Sequence, residues 1–386
     1  MPTQKNMLDS LDIKNYRNLK ELRINSLGRV NLFTGKNNTG KSSILEAIAI
    51  YATKGDLGII YQLLGERGEN LRLSEANKNP TETNVKVLSS LFTDRYIGFK
   101  KEDAISIGII EDTLFGKESP FEKSISLRFA KYFDEVSQVE VEGNISTRRK
   151  RTIAENESDN KLDDYKLALE IRVGKSYFIL PLEEEKLFNR FTFRGLGNNE
   201  SFQFIRTRNI DSEINSKLWD NITLTEKEQY VIEALKIIEP YTERIAFVGE
   251  MPRERTAVIK LANNNNILPL RSMGDGINRI LTIILALVNS DNGFLLIDEF
   301  ENGLHHTVQE QLWNIIFNLA QKLNVQIFVT THSEDCISGF ENILNSPNNS
   351  LVGKLIRLDN DNGNIKQVEF NAQELKIASN NNIEIR

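Results

Sequence analysis

Eight consecutive residues constrain this chain more than any other stretch. Gly35-Lys36-Asn37-Asn38-Thr39-Gly40-Lys41-Ser42 meets the spacing G-x-x-x-x-G-K-[ST] at every fixed position. The short apolar run at 30–34 before it reads as a buried strand, and 43–50 after it reads as a helix opened by Ser43. In a strand, loop and helix so joined, loop amides and the first helical turn aim unpaired N–H groups into one concavity, where phosphate oxygens replace water. The glycines keep side chains out of that space. A helix dipole contributes only about 0.3–2 kcal/mol to an anion. Tight binding therefore needs Lys41 on the β- and γ-phosphates and Ser42 on Mg²⁺.

A chain of 386 residues has room for two domains, or for one with a large insertion. Hydrophobic residues at 40% and charged ones at 26% are those of a globular protein, and no apolar run nears the roughly 18 residues of a membrane span. Met1-Pro2-Thr3-Gln4-Lys5 lacks the charged-then-apolar plan of a secretory signal, and Cys336 is the one cysteine, so the expected compartment is the cytoplasm. The net charge of −6 argues against a uniformly basic coat for nucleic acid. His305, His306 and His332 with one cysteine do not make a zinc centre of the usual spacing, which leaves Mg²⁺ on phosphate as the expected metal.

Along the chain, strands are expected at 11–15, 21–24 and 30–34, as one sheet feeding the loop. Arg17 near its start either reaches the nucleotide or lies solvated on an edge strand. Residues 51–94 read as helical in pieces. Runs at 104–110, 124–129, 167–173 and 176–180 suggest a second, strand-built subdomain. Between them, 144–166 is polar and reads as a loop, with Arg148-Arg149-Lys150-Arg151 followed by Glu155, Glu157, Asp159, Asp163 and Asp164. That basic cluster either contacts a phosphate backbone or is solvated. Thr225-Glu226-Lys227-Glu228 reads as a capping box opening a helix to about 239, and 257–262 with 267–270 as strands returning to the sheet. The expected division is 1–95 for the first part of the core, 96–255 for an insertion, and 256–386 for the rest of the core.

Three further clusters complete the pattern. Phe294-Leu295-Leu296-Ile297-Asp298-Glu299 is an apolar strand ending in two acids. Asp298 is placed to hold Mg²⁺ opposite Ser42, and Glu299 to polarise the water that attacks the γ-phosphorus. His332 ends the apolar run 325–331, at the carboxyl edge where open α/β sheets bind ligands, and is a candidate for the γ-phosphate or its attacking water. Apolar residues at 308, 312, 315, 316, 319 and 323 have helical spacing and read as core. Upstream, Ser272-Met273-Gly274-Asp275-Gly276 opens the apolar helix 277–288, a second helix start able to meet an anion.

In this order the motifs resemble the ATP-binding-cassette class of ATPases, and within it the RecF, SMC and OLD-like heads, closest to small bacterial AAA-type ATPases. The resemblance implies an α/β P-loop NTPase with an inserted α+β subdomain, and ATP as the nucleotide. It implies that Ser272 and Gly274 form a signature loop capping ATP on another protomer, that Asn302, Gly303, Leu304 and His305 form a D-loop, and that His332 is the switch histidine. It covers 11–54 and 265–340. Ser-Met-Gly-Asp-Gly departs from the Ser-Gly-Gly-Gln of transporters, no Q-loop glutamine is placed (Gln62 is the nearest candidate), and no sustained heptads separate the two halves. The implied partners are a second copy of the chain and a separately encoded effector such as a nuclease or toxin of phage defence. DNA, as for RecF, is the alternative, and no membrane is involved.

Two other classes fare worse. Asn160-Lys161-Leu162-Asp163 spells the guanine-reading N-K-x-D, but within a polar stretch rather than after a buried strand. Asp359-Asn360-Asp361 gives the D-x-D of a nuclease, yet 355–358 and 365–370 around Asn362-Gly363 read as a hairpin, with too little chain after it for a Toprim domain.

Overall fold

The computed structural model describes residues 7–69, 79–110, 124–141, 144–154, 165–184, 201–207, 212–249, 255–346, 352–381 and 383–386. The chain divides into two compact units: Met1–Ser10, Ile24–Leu45 and Asn199–Arg386 form one, and Leu11–Arg23 with Glu46–Asn198 the other. In chain order the first elements are β1 (Leu11–Tyr16), β2 (Leu19–Ile24), β3 (Val30–Thr34), α1 (Lys41–Ala52), α2 (Leu57–Glu66), α3 (Pro80–Ser89), β4 (Ile105–Gly108), β5 (Ser124–Val141), β6 (Asn144–Ile153), β7 (Lys166–Val173) and β8 (Ser176–Pro181). Then come β9 (Phe202–Ile205), α4 (Ser212–Asp220), α5 (Lys227–Leu235), β10 (Thr242–Val248), β11 (Thr256–Leu261), β12 (Asn264–Pro269), α6 (Asp275–Val288), β13 (Phe294–Ile297), α7 (His306–Lys322), β14 (Gln326–Thr330), α8 (Glu334–Leu344), β15 (Gly353–Asp361), β16 (Asn364–Phe370) and α9 (Ala372–Asn380).

The first unit is built on a sheet of order β16-β15-β3-β14-β13-β9, parallel from β15 to β9, with β16 antiparallel at one edge. A parallel sheet is covered on both faces, so its central strands cannot alternate with polar residues. Every residue of β3, β13 and β14 is accordingly buried. Phe33, Phe328 and Phe294 stack across three neighbouring strands at 6.4 and 6.2 Å. Leu312, Trp313, Ile316 and Phe317 of α7 and the apolar residues of α6 fill the same core, so the helical spacing at 308–323 is core packing. Gly293 is required before β13, since a Cβ there would collide with the backbone of Ser201 beside β9.

Two polar side chains are wholly buried at the amino end of this sheet, and both are fully paired. Asn31 Nδ2 donates to the carbonyls of Gly28 and Ile327 while its Oδ1 accepts from Gly28 N at 2.7 Å. Gln326 Nε2 donates to Leu8 O and Gly28 O, and its Oε1 accepts from Leu8 N at 2.9 Å. They supply the partners that buried turn backbone would otherwise lack.

The second unit is an antiparallel sheet of order β2-β1-β4-β5-β7-β8, with β6 on β5. This corrects the expectation that 11–24 joins 30–34: β1 and β2 lie in this sheet and β3 in the other. The expected polar loop from 144 is also corrected, because 144–153 is strand β6. Its basic residues are tolerated where acids stand opposite: Lys150 faces Glu135 in register, and Arg151 faces Asp134, with the guanidinium 3.8 Å from the carboxylate. Arg148 and Arg149 are in β6 opposite Ser137 and Val136. The acidic residues at 155–164 and the N-K-x-D at 160–163 lie outside the described residues.

Strands β10, β11 and β12 form a separate three-stranded sheet instead of rejoining the parallel one. The capping box is displaced as well. Thr225 Oγ1 accepts from Lys227 N at 3.3 Å and Glu228 Oε1 from Leu224 N at 2.5 Å, so α5 begins at Lys227 behind Glu226. The 355–370 hairpin is present, with Asn362 and Gly363 both at positive φ in its turn, as a two-residue Asn-Gly turn requires. Among the described residues the longest helix is α7, of 17 residues, and no helix is long and apolar enough to cross a membrane. Replacing Gln326 with Leu should leave the Leu8 amide and carbonyl unpaired, lowering unfolding free energy by about 1–3 kcal/mol per orphaned group; urea denaturation measures the loss.

Candidate functional site

The loop between β3 and α1 closes as its glycines demand. Gly35, Asn38 and Gly40 have φ of 135°, 63° and 90°, and a Cβ on Gly35 would strike the carbonyl of Leu358 on the neighbouring strand. Lys36, Asn37 and Asn38 are exposed, while Thr39 and Ser43 are buried. Thr39 Oγ1 donates to Lys36 O at 2.8 Å, and Lys41 Nζ to the carbonyls of Gly35 and Lys36 at 2.6 and 2.9 Å. The lysine thus folds back over its own loop. Burial pushes its pKa down, opposed by the charges of Asp298, Glu301 and Glu299.

At the carboxyl end of β13, Asp298 accepts from Ser42 Oγ at 3.1 and 3.3 Å and from Thr330 Oγ1 at 2.6 Å. Thr330 Oγ1 in turn accepts from the Glu299 amide at 2.9 Å. One chain of hydrogen bonds therefore joins β3's loop, β13 and β14. Glu299 itself has φ of 50°, a conformation that costs a non-glycine residue about 1–3 kcal/mol and persists only where its surroundings hold it. They do: its amide is taken by Thr330, and its carbonyl accepts from Arg279 at 2.9 Å.

Arg279, on α6, is buried and spreads its guanidinium over three carbonyls, those of Arg206, Asp298 and Glu299. Burial lowers its pKa and the nearby charges of Asp298, Glu301 and Glu299 raise it. The helix that carries Arg279 is the one opened by the loop at 272–276. Gly274 is its N-cap at φ 97°, Ser272 Oγ donates to Pro269 O at 2.7 Å, and both residues are exposed. Their hydrogen bonds are local to that turn, including Asn278 Nδ2 to Gly274 O.

After β14, His332 is held by Glu301. Its backbone amide donates to Glu301 Oε1 at 2.8 Å, its ring Nδ1 lies 2.9 Å from the same oxygen, and Thr331 Oγ1 donates to Oε2 at 2.8 Å. Asn302 Nδ2 reaches Thr207 O, and His305 caps α7 by accepting from Thr307 N. Ser42 and Asp298 together offer the hard oxygen donors, one neutral and one anionic, that suit Mg²⁺ beside a phosphate. Among the described residues no group of three His, Cys, Asp or Glu forms a metal site of protein ligands alone.

The structure brings Lys41, Ser42, Asp298, Glu299 and His332 to one edge of the parallel sheet. Thr330, Arg279 and Glu301 are the members that sequence reading passes over. Arg17 is not a solvated edge residue. It is buried in the second unit, with Nε 2.7 Å from Glu46 and Nη1 2.9 Å from Glu69, while Arg67 and Tyr16 also bond Glu46. Burial alone would lower its pKa, but Tyr16 and Glu46 carry it above the usual value. Gln62 is exposed and bonds Glu66 within α2.

Residues 30–335 match a protein family described as "AAA domain, putative AbiEii toxin, Type IV TA system". Over 368 residues the chain is 23% identical to an ATP/GTP phosphatase of Helicobacter pylori, covering 92% of this chain and 93% of that protein. It is 38% identical over 88 residues to the DNA replication and repair protein RecF of Lactobacillus acidophilus, covering 21% and 22% of the two chains. Among solved structures, an SMC head bound to the C-winged helix domain of ScpA aligns with 94% of this chain and 97% of that one, at 13% identity and a TM-score of 0.46.

Replacing Arg279 with Met should leave the carbonyls of Arg206, Asp298 and Glu299 without their charged donor. A loss of about 1.5–3 kcal/mol is expected for such bonds, read as a lower urea midpoint at unchanged slope.

Proposed function

The chain belongs to this AAA-domain family, with the P-loop NTPase fold of the ABC-type ATPases, and we propose that it hydrolyses ATP between two copies of itself. The observation that carries this reading is the hydrogen-bonded chain from Ser42 through Asp298 and Thr330 to Glu299. It joins the start of α1 to the carboxyl ends of β13 and β14, and so supports reading Ser42 and Asp298 as a cation-holding pair and Glu299 as the base. The name of the Helicobacter relative supports nucleotide hydrolysis for a chain of this length and plan.

In this reading the amides of 35–43 and the Lys41 ammonium bind the phosphates of ATP. Lys41 exchanges its loop carbonyls for phosphate oxygens, and the negative charge restores the proton affinity that burial removes. Ser42 and Asp298 would hold Mg²⁺, which when bound supplies charge neutralisation on the β- and γ-phosphate oxygens. Glu299 orients the attacking water and takes its proton as the oxygen attacks the γ-phosphorus and ADP departs. His332 steadies the γ-phosphate or that water. Ser272 and Gly274, exposed at the start of α6, cap ATP held by the other copy. Closing and opening of the pair then gates a separate effector. The toxin–antitoxin wording of the family description favours defence against phage, with a nuclease or toxin as effector, and the RecF similarity favours DNA as the alternative partner.

Replacing Glu299 with Gln should preserve ATP binding, abolish turnover and accumulate the closed pair on size exclusion with ATP. Hydrolysis at the original rate would remove Glu299 from the role of base. Changing Ser272 to Ala should slow hydrolysis with nucleotide affinity of the single chain intact, by about 2.7–4 kcal/mol if it acts as one preorganised donor. Unchanged kcat in that variant would speak against a capping role.

A further inference from the structure

Glu301 stands between the acid pair 298–299 and the turn at 302–305, and both of its oxygens are engaged by the strand end that carries His332. The side chain is 12% exposed, while that of His332 is 48% exposed. The contact set fixes more than position. Oε1 already accepts the His332 amide, and a carboxylate has no proton to give, so the hydrogen between Oε1 and Nδ1 belongs to the imidazole. That assigns the Nδ1–H form and leaves Nε2 as the ring nitrogen able to meet a ligand. A carboxylate behind an imidazole does the same wherever a histidine must work from one nitrogen: it sets the tautomer, orients the ring and favours the imidazolium when the far nitrogen takes a proton.

We propose that Glu301 is a positioning residue for ATP hydrolysis, holding His332 as its Nδ1–H tautomer with Nε2 presented to the γ-phosphate or its attacking water. This rests on the hydrolytic role proposed for His332. The grip is two-point. The amide contact fixes the backbone at 332, the ring contact fixes the side chain, and the Thr331 hydroxyl on Oε2 keeps the carboxylate from rotating away. Because the Leu304 amide donates to the Glu301 carbonyl at 2.9 Å, the residue that orients the histidine also belongs to the turn leading into α7. A rearrangement of 302–305 would pass through Glu301 to His332.

With three histidines in the chain, the imidazole ¹⁵N spectrum is simple enough to test this, His332 being assigned by its loss in His332→Ala. Wild-type protein should show His332 with a protonated Nδ1 and an unprotonated Nε2. Glu301→Ala should lose that preference and lower kcat about 10- to 100-fold with KM for ATP little changed. In the His332→Ala background the same change should cost nothing further. Glu301→Gln, whose amide oxygen can still accept from both nitrogens, should keep the tautomer and recover part of kcat, and it serves should the alanine variant not fold. An unchanged His332 spectrum in Glu301→Ala, an Nε2–H spectrum in the wild type, or losses that multiply in the double variant would overturn the proposal. A wild-type protein without ATPase activity would sink the hydrolytic reading instead, and the spectrum alone would then decide whether Glu301 sets the tautomer.

Discussion

The 2.6 Å contact between the Thr330 hydroxyl and the Asp298 carboxylate is the interaction on which the rest of the site depends. Strands buried on both faces exclude polar side chains along their length, so polar groups are pushed to the strand ends. Three such ends meet here, and each polar group on one is the partner of a group on another. Thr330 is a donor to Asp298 and an acceptor for Glu299, which ties the register of β14 to that of β13. Ser42 reaches the same carboxylate from α1. Strand order, loop and acid pair are thus one hydrogen-bonded unit, and a shift of any strand by one residue would break it.

That edge sets acids beside cations. Asp298, Glu299 and Glu301 act on the same two cations, the half-buried Lys41 and the buried Arg279. Arg279 is committed to three backbone carbonyls and is not available to a phosphate. In the proposed reaction a divalent ion held by Ser42 and Asp298 would offset the acids that act on Lys41. Arg279 has a second consequence. It joins α6, two turns beyond the exposed Ser272, to the carbonyls of Asp298 and Glu299 that flank the Glu299 Cα, so a displacement of α6 cannot leave the strained backbone of Glu299 unaffected.

How much of this was legible in the residues follows from the range of each interaction. The phosphate loop, the acid pair and the strand-end histidine are readable because their chemistry is local and their spacing fixed by one strand and one turn. Thr330, Arg279 and Glu301 are not, because their partners lie 19 to 73 residues away, and only the packed sheet brings them together. A threonine ending a β-rich run looks like any strand residue, and an arginine inside an apolar helix looks like an error of pattern. Strand β6 was hidden for a different reason: its charges carry no apolar period, and the acids opposite Lys150 and Arg151, Glu135 and Asp134, stand on another strand. Strand β9 is four residues long and borrows its place from Gly293.

The Lys41 ammonium already donates to two loop carbonyls, so in the proposed function nucleotide binding would exchange hydrogen bonds instead of creating them, at only about 0.5–1.5 kcal/mol per bond. An electrostatic contribution would come in addition. Burial depresses the lysine's pKa because its charge is poorly solvated, and the nearby carboxylates only partly compensate. In the proposed nucleotide-bound state a triphosphate would add counter-charge beside the ammonium and raise its proton affinity again.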